Sequence, residues 1–171
     1  YYQGEGTSKD YAKAFKWYLA AAKQGHAKAQ NNLAYMLEKG LSVSKNLNEA
    51  VYWYEKSANQ GNILAQSALA MIYTKAADGI EADFNKAAPF FLKAAKQGHA
   101  FSQLIVGFMY YEGNTVPKNL IVARAWFCLS AKNGEANAIE NCDSSTAQMT
   151  REELENSNKI LNNLLTGIYD S

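Results

Sequence analysis

Few residues in the chain have the types and spacing that catalysis needs. The two histidines, His26 and His99, each follow a glycine at equivalent places in two similar segments. That equivalence indicates a structural or solvent-exposed role rather than a catalytic one. No histidine lies near a cysteine in a zinc-binding pattern, and no P-loop or dinucleotide-binding glycine motif occurs. We therefore expect no catalytic residue, no metal site and no cofactor.

A single serine motif suggests nucleophilic chemistry. Ser42-Val43-Ser44-Lys45 matches the S-x-x-K motif of penicillin-recognising enzymes, but the S-D-N and K-T-G motifs that complete such a site are missing. An enzyme that acts on cell-wall material or β-lactams is therefore kept as the alternative to a non-enzymatic function.

The two cysteines allow two interpretations. Cys128 and Cys142 lie six residues before and eight residues after Gly134, so they could face each other across a hairpin and form a disulfide. Such a bridge would support an exported protein. The alternative is a pair of buried thiols.

Composition excludes several classes of protein. The 171 residues are 48% hydrophobic and 19% charged, with a formal net charge of +1, which is ordinary globular composition. A protein that grips nucleic acid nonspecifically would show a basic excess, so we expect no nucleic-acid partner. No apolar run approaches the roughly 18 residues that a membrane helix requires, so we expect no membrane span.

The chain is built from repeats. Four strings of the type Ala-Lys-Gln-Gly end at glycines spaced 36, 37 and 36 residues apart: Gly25, Gly61, Gly98 and Gly134. We number positions relative to these glycines. Alanine recurs at −11, and aromatic residues recur at −8 and −7, on one side of a helix that glycine ends. A second amphipathic run follows, so each repeat predicts a helical hairpin. The residues at −15 are predicted N-caps: Asp10, Asn46, Asp83 and Asn119.

Two further positions carry structural predictions. Gln30, Gln66 and Gln103 recur at +5, and a polar residue repeated in register is typical of a hydrogen bond to a neighbouring turn. Pro89 lies inside a first helix, where it should kink or delay that helix.

The pattern A…WY…AA.QG.A.AQ..LA.MY..G.GV..D…A resembles the Sel-1-like repeat family, which is related to the tetratricopeptide repeats. Because a lone hairpin cannot cover its apolar face, the hairpins should stack. We expect an all-α, right-handed α/α superhelical solenoid. It would be a single repeat domain, 1–171, comprising the end of an upstream repeat (1–9), repeats at 10–45, 46–82, 83–118 and 119–148, and a capping helix (149–167) opened by a Thr150–Glu153 capping box.

Positions −12, −9, −5 and −2 of the first helices point away from the apolar side. They are mostly lysine, and Glu49 is the one acid among them. In tetratricopeptide-like solenoids the first helices line the concave groove, so we expect a basic stripe that binds an acidic peptide or protein segment. The candidate partner-binding residues are Lys16, Tyr52, Lys56 and Lys93. The alternative is an ordinary solvated lysine face.

The resemblance implies a function without chemistry. Members of this family serve as protein–protein interaction scaffolds or adaptors, and many are bacterial and exported, periplasmic or envelope-associated. We therefore expect a protein or peptide partner. A purely structural segment of a longer repeat protein is a further alternative.

Overall fold

The computed structural model describes residues 10–75 and 79–167. Within these residues the chain forms nine α-helices, of which the first eight pair into hairpins. They are α1 Tyr11–Lys23, α2 Ala27–Lys39, α3 Leu47–Asn59, α4 Ile63–Tyr73, α5 Phe84–Lys96, α6 Ala100–Glu112, α7 Leu120–Lys132, α8 Asn137–Ala147 and α9 Arg151–Thr166. The predicted end of an upstream repeat, 1–9, lies outside the described residues.

The chain divides into two compact units, Tyr1–Asp83 and Phe84–Ser171. The first unit holds the hairpins α1–α2 and α3–α4. The second holds α5–α6 and α7–α8 together with α9. The division falls between the second and third repeats, directly before α5 begins at Phe84.

The helix ends follow the repeat. Three of the predicted caps at −15 bond as expected, because Asp10, Asn46 and Asn119 each accept a hydrogen bond from the backbone N–H three residues on. Asp83 directly precedes α5. Each repeat glycine has a positive φ, between 84° and 95°, which residues with a Cβ rarely adopt. These features confirm the predicted first helices.

Pro89 does not delay α5. The helix begins at Phe84, the same repeat position as the first residues of α1, α3 and α7, so the predicted delay is wrong. The reason is local. Pro89 removes one donor, to the carbonyl of Asn85, and both residues are exposed, so water can bond that carbonyl while the buried side of α5 packs unchanged.

The core of each unit is rich in alanine. In the first unit Ala14, Ala22, Ala50 and Ala58 are buried together with Leu33 and Leu69, and in the second Ala87, Ala95 and Ala123 are buried with Leu104, Val106 and Phe127. Small side chains let helix backbones approach closely, and the larger residues fill the remaining space.

The repeated glutamines tie each hairpin together. The side-chain Nε2 of Gln30 donates to the carbonyl of Ala22 at 3.1 Å, and Gln66 and Gln103 make the same bond to Ala58 and Ala95 at 3.2 and 3.0 Å. All three glutamines are buried. The predicted structural role is confirmed, because each side chain satisfies a carbonyl at the end of a first helix.

The repeated tryptophans differ in environment. Trp53 and Trp126 are buried, whereas Trp17 is 67% exposed. α3 and α7 each pack against the second helix before them, but the described residues contain no helix before α1. Burial at this position therefore depends on a preceding hairpin.

Gly107 makes room for a ring. A Cβ built on Gly107 would lie 2.5 Å from the ring of Phe127, which is buried in the second unit. We expect Gly107→Ala to lower the free energy of unfolding by about 1–3 kcal/mol through overpacking, although alanine is the better helix former. Urea denaturation measures the effect.

The control is a double-mutant cycle with Phe127→Leu. The smaller side chain leaves room for the added methyl, so the double variant should be more stable than the sum of the single losses. Strict additivity would show that the two residues do not clash.

His99 caps the second helix α6. Its Nδ1 accepts a hydrogen bond from the backbone N–H of Ser102 at 3.2 Å, as the side chain of Asn62 does for α4. Burial lowers the pKa of His99, and the nearby Glu135 carboxylate opposes this change in part. The cap bond and the burial both favour the neutral imidazole, since a protonated Nδ1 cannot accept the bond.

We expect the stability to depend on pH through His99. Because its pKa is lower in the folded chain, the unfolded chain takes up a proton first, so the free energy of unfolding falls as the pH drops below about 6.5 toward the folded pKa. His99→Asn keeps a cap and should flatten this part of the profile in urea denaturation at several pH values. His26→Asn retains His99 and should keep the slope; an unchanged slope in His99→Asn would contradict the assignment.

Candidate partner-binding face

The predicted face is exposed on three of the four first helices. We define the lysine-rich face of a first helix as its residues at −12, −9, −5 and −2, and we describe it for α1 and α3 in the first unit and for α5 in the second. These are Lys13, Lys16, Ala20 and Lys23; Glu49, Tyr52, Lys56 and Asn59; and Lys86, Pro89, Lys93 and Lys96, and all twelve are exposed. The helical period thus placed them correctly on the solvent side.

Tyr52 and Lys56 form a cluster one turn apart on α3. The Lys56 Nζ lies 5.0 Å from the centroid of the Tyr52 ring, a cation–π contact. The ring of buried Trp53 meets that of Tyr52 edge-on at 5.1 Å, while Tyr52 itself remains 49% exposed. A held aromatic ring with a lysine beside it suits a partner segment that carries both apolar and acidic groups.

The other two candidates lie on different helices. Lys16 is exposed on α1, three residues after Lys13, whose Nζ lies 3.2 Å from the Asp10 carboxylate. Lys93, on α5 in the second unit, has its Nζ 5.8 Å from the centroid of the Phe90 ring. Within the described residues, contact between candidates is therefore seen for Tyr52 and Lys56.

Charge is uneven between the helices. α1 and α5 contain three lysines each and no acidic residue. α3 contains Glu49 and Glu55 as well as Lys56, and Glu55 accepts a hydrogen bond from the Tyr73 hydroxyl at 3.1 Å. The predicted basic character is thus found in the lysines of α1 and α5, whereas α3 contributes the aromatic ring of Tyr52.

The fourth first helix departs from this pattern. On α7 the same positions hold Val122, Ala125, Leu129 and Lys132, and Ala125 and Leu129 are buried. Sequence reasoning missed this burial. The signal was present, since apolar residues stand at positions that hold lysine or tyrosine in other repeats.

The first unit also contains a cavity that the sequence did not predict. It has a volume of about 620 Å³ and lies between α2 and α4, above the start of α3. Its walls include Leu47, Met71 and Ile72, and lysines line its rim. The Tyr54 hydroxyl donates to Glu38 within it at 2.8 Å.

Ser42 lies in the loop between α2 and α3. It is exposed and has a φ of 62°, the left-handed region that non-glycine residues rarely adopt. Lys45, its partner in the S-x-x-K motif, lines the cavity. Among the described residues, no three His, Cys, Asp or Glu side chains are grouped to hold a metal ion.

Cys128 and Cys142 form a disulfide with Cα atoms 4.8 Å apart. The bond joins α7 to α8 in the last hairpin, where Ile139 replaces the glutamine at +5 and is 54% exposed. A covalent bond thus joins the two helices of the hairpin that lacks the repeated glutamine. The hairpin thus brings the two side chains together, as the disulfide interpretation requires.

Two proteins of known structure are similar to this chain. A Sel1 repeat protein from Oxalobacter formigenes has a similar structure, with a TM-score of 0.78 and 27% identity over 95% of this chain and 68% of that one. A second is c5321, described as a protective antigen present in uropathogenic Escherichia coli strains and displaying an SLR fold, with a TM-score of 0.60 and 27% identity over 98% of this chain and 44% of that one. No curated protein matches the sequence significantly.

The fold class is an all-α helical-repeat solenoid, as predicted. None of the helices in the described residues is both long and apolar enough to cross a membrane. The Sel1 repeat family model matches four consecutive segments, 1–26, 27–62, 63–99 and 100–135. Proteins with these repeats are generally protein–protein interaction scaffolds and typically lack catalytic activity. The chain belongs to the Sel1 repeat family.

Proposed function

We propose that this protein is an interaction scaffold whose lysine-rich faces bind acidic segments of a partner protein. The observation that carries the proposal is the exposure of all twelve face residues on α1, α3 and α5. Family membership supports the scaffold role. The low net charge of the chain means that attraction is local to these faces rather than a property of the whole surface.

The candidate residues have separate roles. Lys16 and Lys93 supply charge on helices without acidic residues. Tyr52 offers an exposed ring, and Lys56 lies beside it. Aromatic residues contribute more to binding than exposed ion pairs, which add little individually. We therefore assign affinity chiefly to Tyr52 and the choice of an acidic partner to the lysines.

We further propose that the protein works in an oxidising compartment outside the cytosol of a bacterium. The Cys128–Cys142 disulfide supports this location, because such bonds persist where thiols are not kept reduced. The Oxalobacter and Escherichia proteins with similar structures support a bacterial source.

Charge reversal tests the binding proposal. We expect the Lys16→Glu, Lys56→Glu, Lys93→Glu variant to capture its partners from an envelope extract of the source organism about tenfold more weakly, since three attractions become repulsions. The same reversals at exposed lysines off the face, Lys28, Lys118 and Lys159, make a control with equal net charge. Quantitative mass spectrometry measures the amount of each partner that a variant captures. Equal capture by the two variants would overturn the proposal.

Thiol trapping tests the compartment. Cells of the source organism are quenched with acid and treated with a maleimide carrying a polymer tag, with and without prior reduction. We expect the native protein to gain mass only after reduction, because its two cysteines are paired. Tagging without reduction would show that the thiols are free in the cell and would contradict the proposed location.

A further inference from the structure

α7 is enclosed far more completely than the other first helices. Its residues 123–130 are all buried, including Ala125 at 0% and Leu129 at 3% exposure. The residues at the same repeat positions of α1, α3 and α5 are all exposed: Lys16, Tyr52 and Pro89 at −9, and Ala20, Lys56 and Lys93 at −5. Something therefore covers, on α7, the face that is open on the other three helices.

The covering element is α9. It packs against α7 in the second unit, with its half-buried residues at helical spacing: Leu154, Ile160, Leu161 and Leu164. Polar bonds fix it in place. Arg124 of α7 donates through Nη1 to Ser157 Oγ at 3.1 Å and Asn158 Oδ1 at 3.0 Å, and Ser157 Oγ donates to the Ile121 carbonyl at 2.9 Å. The chain itself thus shows an amphipathic helix seated on the first-helix face.

The residues at these repeat positions differ in chemistry between α7 and α5. α7 carries buried Ala125 and Leu129 at these positions and packs against α9. α5 presents Lys86, Pro89, Lys93 and Lys96 and contains no acidic residue. Lysines spaced by three and seven residues lie along one side of a helix, over a rise of about 15 Å for ten residues. A second helix with carboxylates at the same spacing would match this row.

We propose that the lysine-rich face of α5 receives an amphipathic acidic α-helix of the partner, seated as α9 is seated on α7. This inference rests on the proposed scaffold function and adds the conformation of the bound segment. The lysines of α5 favour an acidic helix by opposite charge. The packing of α9 on α7 shows how such a helix would lie on α5.

Two synthetic peptides test the inference. The first has about 18 residues, long enough for measurable helicity, with glutamates at helical spacing on one side and alanine and glutamine elsewhere. The second has prolines in place of two central alanines, so that its charge is equal but its helix is broken. Binding of each to the full chain is measured by fluorescence anisotropy, and circular dichroism records peptide helicity.

We expect the helical peptide to bind about tenfold more tightly than the proline peptide, and to lose about tenfold in affinity for the Lys86→Glu, Lys93→Glu, Lys96→Glu variant. The control variant reversed at Lys28, Lys118 and Lys159 should bind the helical peptide more tightly than the α5 variant does. Circular dichroism of both variants checks that they fold.

The outcomes separate this inference from the proposed function. Equal binding of the two peptides would overturn the helical mode and leave an acidic-segment scaffold standing. Failure of both peptides to bind would also overturn it, whereas the scaffold proposal stands or falls by the capture of partners. Equal affinity of the α5 and control variants would show that α5 is not the seat.

Discussion

Contact between the second helix of one hairpin and the first helix of the next holds each compact unit together. In the first unit Ser57 of α3 donates to the Ala27 carbonyl of α2 at 2.7 Å, and Gln60 donates to Gln30 at 2.8 Å. In the second unit Ser130 and Asn133 of α7 make the same bonds to Ala100 and Gln103 of α6, at 2.7 and 2.9 Å. A hairpin that lacks this contact exposes both its apolar side and its polar turn groups, which is costly.

The same contact explains why particular residues recur. Gln30 and Gln103 each donate to their own hairpin and accept from the next one, so one side chain joins successive hairpins. Apolar packing adds to it, because the Phe127 ring meets Phe108 of α6 at 5.0 Å over the space left by Gly107. Substitution at such a position therefore affects two hairpins at once.

In the last hairpin, α7–α8, other interactions take the place of the repeated glutamine bond. No glutamine stands at +5, and the disulfide joins α7 to α8. α9 takes the open side of α7, where Arg124 is buried among the neutral acceptors Thr146, Ser157 and Asn158. Burial lowers the pKa of this guanidinium, but the group stays charged, so its hydrogen bonds must offset the loss of water. These hydrogen bonds fix the side of α7 on which α9 packs.

The sequence by itself determined the local structure. Periodic alanines, aromatics and glycines were enough to locate the helices, their caps and the turn glutamines, because these depend on interactions within about 15 residues. The exposed lysine-rich face followed from the same period. The sequence also named Cys128 and Cys142 as a pair that a hairpin could join, without deciding between a bond and two thiols.

Only the tertiary structure decided which equivalent residues share an environment. Trp17 and Trp53 occupy the same repeat position, yet one is exposed and the other buried, because burial depends on the neighbouring hairpin rather than on the residue. Ala125 and Leu129 are buried for the same reason, since α9 lies beyond the repeat and its seat is set by Arg124 and Ser157. The cavity between α2 and α4 likewise arises from the spacing of separate helices, which a local pattern does not encode.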